Sequence, residues 1–232
     1  MRSSTILTAA CLILASCQPG EGCTDPTANN YDSNAVEDDG SCDNRPEFDG
    51  YTYDVVTIGE QVWFAENLQT TVYANGSGIP EVTDNIFWGN ASNGARCVYE
   101  NEESNLAIYG RLYNGHAVTD ARKLCPNGWH VPTDEDWEEL RDYITSQGLE
   151  TATALKSTYG WIDDGNGTDD FGFSGVPGGS RGLNFYYAGV AGLWYSYEGR
   201  SWELWPNYTY ISTSLETGSQ GGISVRCLKD TE

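Results

Sequence analysis

The stretch CPNGWHVPTDEDWEEL, residues 125–140, combines a turn with the start of a helix. Its Pro-Asn-Gly segment is typical of a turn, and its second proline keeps the preceding valine extended. Thr133 is then the predicted N-cap, and Asp136, three positions later, nearly completes a capping box. Apolar residues follow at helical spacing up to Gly148, a suitable C′ residue. The pattern predicts an amphipathic helix over roughly residues 134–147.

Upstream of this helix the chain alternates between apolar runs and turn signals. The runs Val55–Ile58 and 62–65 are separated by Gly59-Glu60, which suits a two-residue II′ hairpin. Residues 74–105 are rich in turn signals, so we expect long loops with little regular structure. Residues 109–124 are predicted to carry a first helix that packs near the second.

Downstream of the helix the pattern changes to turns and short strands. Residues 160–182 are glycine-rich and predict mainly turns. The runs 192–197, 208–213 and 223–228 alternate in the manner of strands. Short strands around two helices predict an α+β domain.

Six ordered motifs in this region resemble a known family. They lie at residues 55–68, 109–114, 129–137, 170–181, 192–196 and 224–230. Together they resemble the Fibrobacter succinogenes major paralogous domain, which occurs in bacterial surface proteins of largely unknown function.

Two elements are also similar to the formylglycine-generating sulfatase-modifying family. One is Val131-Pro132-Thr133 together with Trp137-Glu138, and the other is Arg226-Cys227. The fold of that family is related to C-type lectins. The resemblance implies a C-type lectin-like domain over residues 50–232, with two helices, short mixed strands and long loops.

The N-terminus has the pattern of a bacterial lipoprotein. Residues 1–16 form the predicted signal, with Arg2 as its charge, and residues 14–17, LASC, are similar to a lipobox. Cys17 is therefore predicted to be the lipidated N-terminus, anchored in the membrane without spanning it. Gln18 favours the outer membrane, by resemblance to lipoprotein sorting, and we expect the protein to be exposed on the cell surface. The alternative is an ordinary secretory signal that leaves Cys17 as a thiol.

Residues 17–49 contain a small acidic module bounded by Cys23 and Cys42, followed by a polar linker at 43–49. The module resembles a short cysteine-bounded unit of secreted bacterial proteins. An exported chain keeps such a disulfide, and closure of a loop of this size contributes about 3 kcal/mol in the chain-entropy model.

Two acidic loops carry the oxygen ligands that calcium prefers. The candidate ligands are Asp25, Asp32, Asn34, Asp38 and Asp39 in the module, and Asp163, Asp164, Asn166, Asp169 and Asp170 in the domain. The first loop fails the EF-hand register, because position six counted from Asn30 would be Ala35. A solvated spacer and a surface turn explain the two loops equally well. We therefore expect no required cofactor, with structural calcium as the open alternative.

The remaining cysteines are Cys97, Cys125 and Cys227. The family resemblance implies a Cys125–Cys227 bond, which matches the long lectin-type disulfide. Cys97 is then left over, either as a buried thiol or as a reactive or intermolecular one.

Composition excludes several functions. A net charge of −22 with 12 Lys+Arg argues against nucleic acid and anionic lipid surfaces as partners. His116 and His130 are the only imidazoles, too few for the usual zinc site. The formylglycine-generating relatives use two cysteines near the C-terminus, where this chain has Cys227 alone. These observations predict a protein that is not an enzyme.

A binding function is the remaining prediction. The sugar-binding signatures of C-type lectins are missing, but aromatic side chains lie in or beside loops, where their faces can stack on sugar rings or a protein. The candidates are Trp88, Trp202, Trp205, Tyr195 and Tyr197, with Tyr208 beside them. For each one, partial core burial is the competing interpretation. We expect a surface lipoprotein with a recognition or adhesion domain for a glycan or protein. An oxidoreductase related to the formylglycine-generating enzymes and a structural cell-envelope protein are the alternatives.

Overall fold

The computed structural model describes residues 20–214 and 218–231. This part of the chain forms two compact units that divide between Arg45 and Pro46, inside the polar linker. The signal segment and the lipidation site Cys17 lie outside the described residues. No helix in the described ranges has the length and apolar content that a bilayer crossing requires.

The first unit contains two short parallel strands, β1 (Gly20–Gly22) and β2 (Ala35–Asp38), and the Cys23–Cys42 disulfide. Its acidic side chains are used in turns. Asp25, Asp32, Asp38 and Asp39 each accept a hydrogen bond from the backbone N–H two residues later, and Asn34 also donates its amide to Asp32. These are Asx turns, which fold the module without needing a core.

The second unit contains four antiparallel sheets. A two-stranded sheet is formed by β3 (Glu47–Phe48) and β4 (Tyr51–Thr52). A four-stranded sheet has the order β5 (Val55–Ile58), β6 (Gln61–Phe64), β16 (Leu228–Lys229) and β9 (Trp129–His130). A five-stranded sheet has the order β11 (Phe185–Ala188), β10 (Gly178–Arg181), β15 (Gly222–Ile223), β8 (Arg111–Asn114) and β7 (Arg96–Val98). The fourth is β12 (Gly192–Tyr195), β13 (Ser201–Leu204) and β14 (Ser212–Ser214).

The helices of this unit are α1 (Asn85–Gly89), α2 (Leu106–Tyr109), α3 (Gly115–Val118), α4 (Asp134–Ser146) and α5 (Thr151–Leu155), with 3₁₀ turns at Tyr99–Asn101 and Glu103–Asn105. Among the described helices α4 is the longest, with 13 residues. The domain is thus mixed α and β, with small sheets and few helices.

The helix α4 confirms the prediction from residues 125–140. The Thr133 hydroxyl accepts from the Asp136 N–H, and the Asp136 carboxylate accepts from the Thr133 N–H, which together form a capping box. Gly148 follows the C-cap with a φ of 76°. The hairpin of β5 and β6 is also as predicted, because Ile58 pairs with Gln61 across Gly59 and Glu60.

Of the first helix predicted within residues 109–124, the structure has only the single turn α3 (Gly115–Val118). Gly110, with a φ of 72°, ends the single turn α2, and the chain continues as β8. All four residues of β8 are buried, and the strand lies between β7 and β15. Its burial in a sheet overrides the helical tendency of the sequence, as tertiary context often does.

Two strand predictions also change. The run 223–228 is divided, since β15 belongs to the five-stranded sheet and β16 to the four-stranded sheet. In the run 208–213, the strand begins only at Ser212, and residues 208–210 are exposed. Strand β13 was not predicted. Segment 74–105 contains α1 and β7, and is therefore more regular than expected.

An aromatic cluster fills the space between α4 and the sheets. Trp137 of α4 stacks on Trp202 at 5.8 Å between ring centroids and lies 4.8 Å from Trp63 and 6.4 Å from Trp194. All four indoles are 2% exposed or less. Favourable aromatic pairs add about 0.5–1.5 kcal/mol each beyond area burial.

The side-chain amide of Asn67 joins segments that are distant in sequence. Its oxygen accepts from the indole of Trp194 (2.7 Å) and the guanidinium of Arg226 (2.9 Å). Its nitrogen donates to the Tyr109 carbonyl (2.8 Å) and the Ser224 hydroxyl (3.2 Å). Asn67 is 3% exposed, so water cannot replace the hydrogen-bond partners of its amide.

The Arg226 side chain is fully buried and donates hydrogen bonds to neutral groups. It donates to the carbonyls of Phe173 and Ser174 as well as to Asn67. Its guanidinium also lies 4.1 Å from the centroid of the Phe173 ring. Burial lowers the pKa of Arg226 to about 9, which leaves the group charged at pH 7.

We predict that Asn67→Ala lowers the free energy of unfolding by about 3 kcal/mol, because a buried indole and a buried guanidinium lose their acceptor. Urea denaturation measures the loss. Asn93→Ala removes an exposed asparagine and should change the free energy by less than about 0.5 kcal/mol. Equal stabilities for the two variants would contradict the role of Asn67.

His130 links the start of α4 to the end of the chain. Its Nδ1 lies 2.7 Å from the Asp230 carboxylate, and its Nε2 lies 3.2 Å from the Asp136 carboxylate. The hydrogen bond to Asp136 is the main reason why the pKa of His130 is raised above 6.5, with Asp230 adding to it against the effect of burial.

This geometry predicts a pH-dependent stability. Since the folded-state pKa of His130 lies above its unfolded value, its stabilisation is fully present below pH 6.5 and is lost as the pH rises through the folded-state pKa. The side chain is about one third exposed, so the contribution should be about 1 kcal/mol or less. Urea titrations between about pH 5.5 and 8 should show a smaller decline in the free energy of unfolding for His130→Asn than for the parent. Parallel declines would contradict the assignment.

Candidate functional site

Three of the predicted ligand-binding residues belong to the core. Trp88, Tyr195 and Trp202 are 0%, 0% and 2% exposed. The Trp88 indole donates to the Gln220 carbonyl, and the Trp202 indole donates to Asp134. Their faces are covered by other side chains, so the prediction that they meet a ligand is wrong.

Tyr197 and Trp205 lie at opposite ends of the β12–β13 pair. Tyr197 is in the loop that joins the two strands and is 51% exposed. It lines a small cavity of about 250 Å³, together with Trp129 and Cys125. Trp205 follows β13 directly and is partly buried, with its indole donating to Glu203 at 2.9 Å. The two predicted residues therefore belong to different surfaces.

Trp205 is part of a larger group of accessible rings, which we call the aromatic surface. Its members are Tyr186, Tyr187, Trp205, Tyr208 and Tyr210. The ring of Tyr187 lies 6.0 Å from Tyr186 and 5.5 Å from Trp205, and the rings of Tyr208 and Tyr210 stack at 5.1 Å. The Tyr208 N–H donates to the Trp205 carbonyl, which closes a turn between the two groups. The four tyrosines are between 42% and 57% exposed.

The strand β11 presents two neighbouring tyrosines to solvent. In a regular strand, adjacent side chains point to opposite faces. Tyr187 instead has a φ of 68°, a conformation that is rare for an aromatic residue, and both Tyr186 and Tyr187 are exposed. β11 is at the edge of its sheet. Such strain is concentrated at functional sites, and here it orients a ring that contacts Trp205.

The buried side chain of Lys156 binds the turn formed by residues 205–208. The side chain is 3% exposed, and its ammonium donates to the carbonyls of Trp205 (3.2 Å), Pro206 (3.0 Å) and Tyr208 (3.4 Å). Burial lowers the pKa of Lys156 below its usual 10.5. Three carbonyls of one turn thus share one cation, which fixes the backbone on which these rings stand.

The α5 region makes further contacts with the same loop. The Ala152 N–H donates to the Thr209 carbonyl, and the Ile211 N–H donates to the Thr151 hydroxyl. The loop that carries Tyr208 and Tyr210 is therefore attached at Thr209, between the two rings, and at Ile211, directly after them. A preorganised surface loses less conformational entropy when it binds.

A short acidic turn borders the aromatic surface. A β-carbon at Gly165 would overlap with Pro206, so this turn is in close contact with the loop that carries Trp205. Asp163 and Asp164 in the same turn are exposed and have φ values of 52° and 54°. Glu203, which accepts from Trp205, supplies a further carboxylate. Carboxylates therefore lie at this border.

The other predicted calcium ligands of this loop stabilise turns. Asn166 accepts from the Trp161 N–H, Asp169 accepts from the N–H and hydroxyl of Ser174, and Asp170 accepts from the Thr168 hydroxyl. Within residues 20–214 and 218–231, no group of three or more acidic, histidine or cysteine side chains is arranged to hold a metal ion.

The cysteines of the domain are paired as the resemblance implied. Cys125 is bonded to Cys227, and Cys97 is a buried free thiol. Burial raises the pKa of Cys97 to about 11, which keeps it protonated and unreactive at neutral pH. Cys227 is therefore held in a disulfide.

The sequence analysis did not identify Tyr186, Tyr187, Tyr210 or Lys156. One signal was available for the first two, since adjacent tyrosines in a strand cannot both face one core. Lys156 gave no signal, because its three partners are backbone carbonyls. Carbonyl partners depend on the path of the chain and not on residue type.

The structure defines an α+β domain of small sheets that presents an aromatic surface beside a strained edge strand. Residues 56–229 match the family model of the Fibrobacter succinogenes major domain, which covers well over half of the chain. The chain therefore belongs to this family. No match to this chain is found among the curated proteins or the solved structures.

We predict that Lys156→Met lowers the free energy of unfolding by about 1.5–3 kcal/mol, the usual range for hydrogen bonds to a charged group. Chemical denaturation provides the measurement. Lys123→Met, at an exposed lysine, is the matched control and should have almost no effect. A Lys156→Met protein as stable as the control would show that the three carbonyls do not depend on the ammonium.

Proposed function

We propose that this protein is a bacterial surface lipoprotein whose family domain recognises an external glycan without catalysing a reaction. The observation that carries the proposal is the aromatic surface, whose rings stand on a loop fixed by Lys156. Tyrosine and tryptophan combine a flat apolar face with a polar edge, which suits the alternating C–H and hydroxyl groups of a sugar.

The proposal includes a C-type lectin-like arrangement of the domain. Two features support it: the long Cys125–Cys227 bond, with a sequence separation of 102, and the pairing of Leu228 near the C-terminus with Trp63 in the first hairpin. Both features bring the two ends of the domain together. Recognition by stacked rings would then differ from the calcium-bridged sugar binding of C-type lectins.

The test is binding of the purified full chain to an array of glycans, compared with Tyr187→Asn. Asparagine tolerates a positive φ well, so this change removes the ring without adding backbone strain. Removal of one stacking ring, at about 0.5–1.5 kcal/mol, should weaken binding by about twofold to tenfold. Isothermal titration calorimetry measures the change.

Tyr197→Asn is the matched control, because Tyr197 is equally exposed at the other end of the β12–β13 pair. It should leave glycan binding unchanged. If no glycan binds, or if both variants bind as tightly as the parent, recognition through the aromatic surface is excluded. If the chain binds surface proteins and no glycan, the ligand of the domain is a protein.

The membrane anchor is proposed from residues 14–17, LASC. We predict that Cys17→Ala moves the protein from the membrane fraction to the soluble fraction, because acyl chains contribute about 0.8 kcal/mol per buried methylene to membrane binding. Cell fractionation and intact-mass analysis of the membrane form measure this. A mature N-terminus at any other residue would contradict lipidation.

A further inference from the structure

We propose that the aromatic surface is selective for uncharged polysaccharide and rejects acidic polysaccharide of the same backbone. This inference rests on the proposed function and adds the class of the ligand to it. The physical basis is the charge at the border of the rings, where Asp163, Asp164 and Glu203 lie.

The aromatic surface would need an exposed cation to bind an acidic sugar. An acidic sugar requires a lysine or arginine to offset its carboxylate, because an unpaired charge at an interface is unfavourable. In the described chain the cation–ring contacts involve the rings of Tyr73, Trp88, Trp161, Phe173, Phe185 and Trp194, none of which belongs to the aromatic surface. Lys156, beneath the turn, is buried and already donates to three carbonyls.

The carboxylates at the border of the aromatic surface would repel an acidic ligand. Asp163 and Asp164 are exposed, and their turn is in contact with Pro206, the residue that follows Trp205 in the sequence. Two like charges about 5 Å apart in water repel with an energy that corresponds to about a fourfold change in affinity. Two aspartates should therefore weaken binding of a polyanion by about tenfold at low salt, and screening should remove most of this at high salt.

The exposed rings of the aromatic surface carry polar groups. Its exposed rings are tyrosines, whose hydroxyls stay in water or bond to the hydroxyls of a sugar. By contrast, Ile86 and Phe87 on α1 are 70% and 72% exposed and have no polar group on their side chains. The aromatic surface is thus suited to a hydrated, hydroxyl-rich chain, whereas α1 presents an aliphatic and phenyl patch.

The experiment uses two pairs of polymers, each pair with one backbone: hydroxyethylcellulose with carboxymethylcellulose, and fully methyl-esterified polygalacturonate with free polygalacturonate. Affinity electrophoresis of the purified full chain compares the two members of each pair at low and at high salt. We expect binding to a neutral member and about tenfold weaker binding to its acidic counterpart at low salt.

The decisive variant is Asp163→Asn with Asp164→Asn. Both positions have a positive φ, which asparagine adopts readily, so the change removes two charges and preserves the turn. It should raise affinity for the acidic polymer by about tenfold at low salt and leave the neutral polymer unchanged. Glu138→Gln with Glu139→Gln on α4 removes the same charge at another exposed position and should change neither affinity.

The outcomes separate the two levels of the proposal. If the neutral and acidic polymers of a pair bind equally at low salt, or the acidic one binds more tightly, selectivity is overturned while glycan recognition stands. If the α4 variant has the same effect as the aspartate variant, overall charge and not the border of the surface sets the preference, which also overturns the inference. If no polymer binds, the proposed function itself fails.

Discussion

The amide of Asn67 is the interaction on which the domain most depends. It binds Trp194 and Arg226 through its oxygen, and Tyr109 and Ser224 through its nitrogen. These residues come from the separate sequence motifs that define the family. Because the site is closed to water, each partner would be left unsatisfied if the amide moved. The motifs are thus joined by one set of hydrogen bonds.

The same principle is used again beneath the candidate site. Arg226 and Lys156 are buried cations that are surrounded mainly by carbonyl oxygens. Carbonyl dipoles offset the loss of hydration without a second buried charge. The hydrogen bonds of Arg226 connect segments of the core. Those of Lys156 fix a turn that carries rings at the surface. A strained Tyr187 next to Trp205 completes that surface.

The acidity of the chain has two structural roles that composition alone does not separate. In the first unit, aspartates such as Asp25 and Asp39 accept the side-chain hydroxyl and the backbone N–H of the residue two positions later, and these hydrogen bonds lower the pKa of both carboxyls. Beside the aromatic surface, Asp163 and Asp164 are exposed in a turn. The first role stabilises local structure, and the second sets the electrostatic character of the proposed ligand site.

The sequence by itself determined the elements whose partners are near in the chain. The capping box of Thr133 and Asp136 and the two-residue hairpin at Gly59 are local, so spacing and turn chemistry were sufficient. The family motifs also implied the Cys125–Cys227 bond. Tertiary structure alone decided that β8 is a buried strand. It also decided that Trp202 is covered by Trp137 and that Tyr187 is exposed, because burial depends on which segments become neighbours and which strand forms the edge of a sheet.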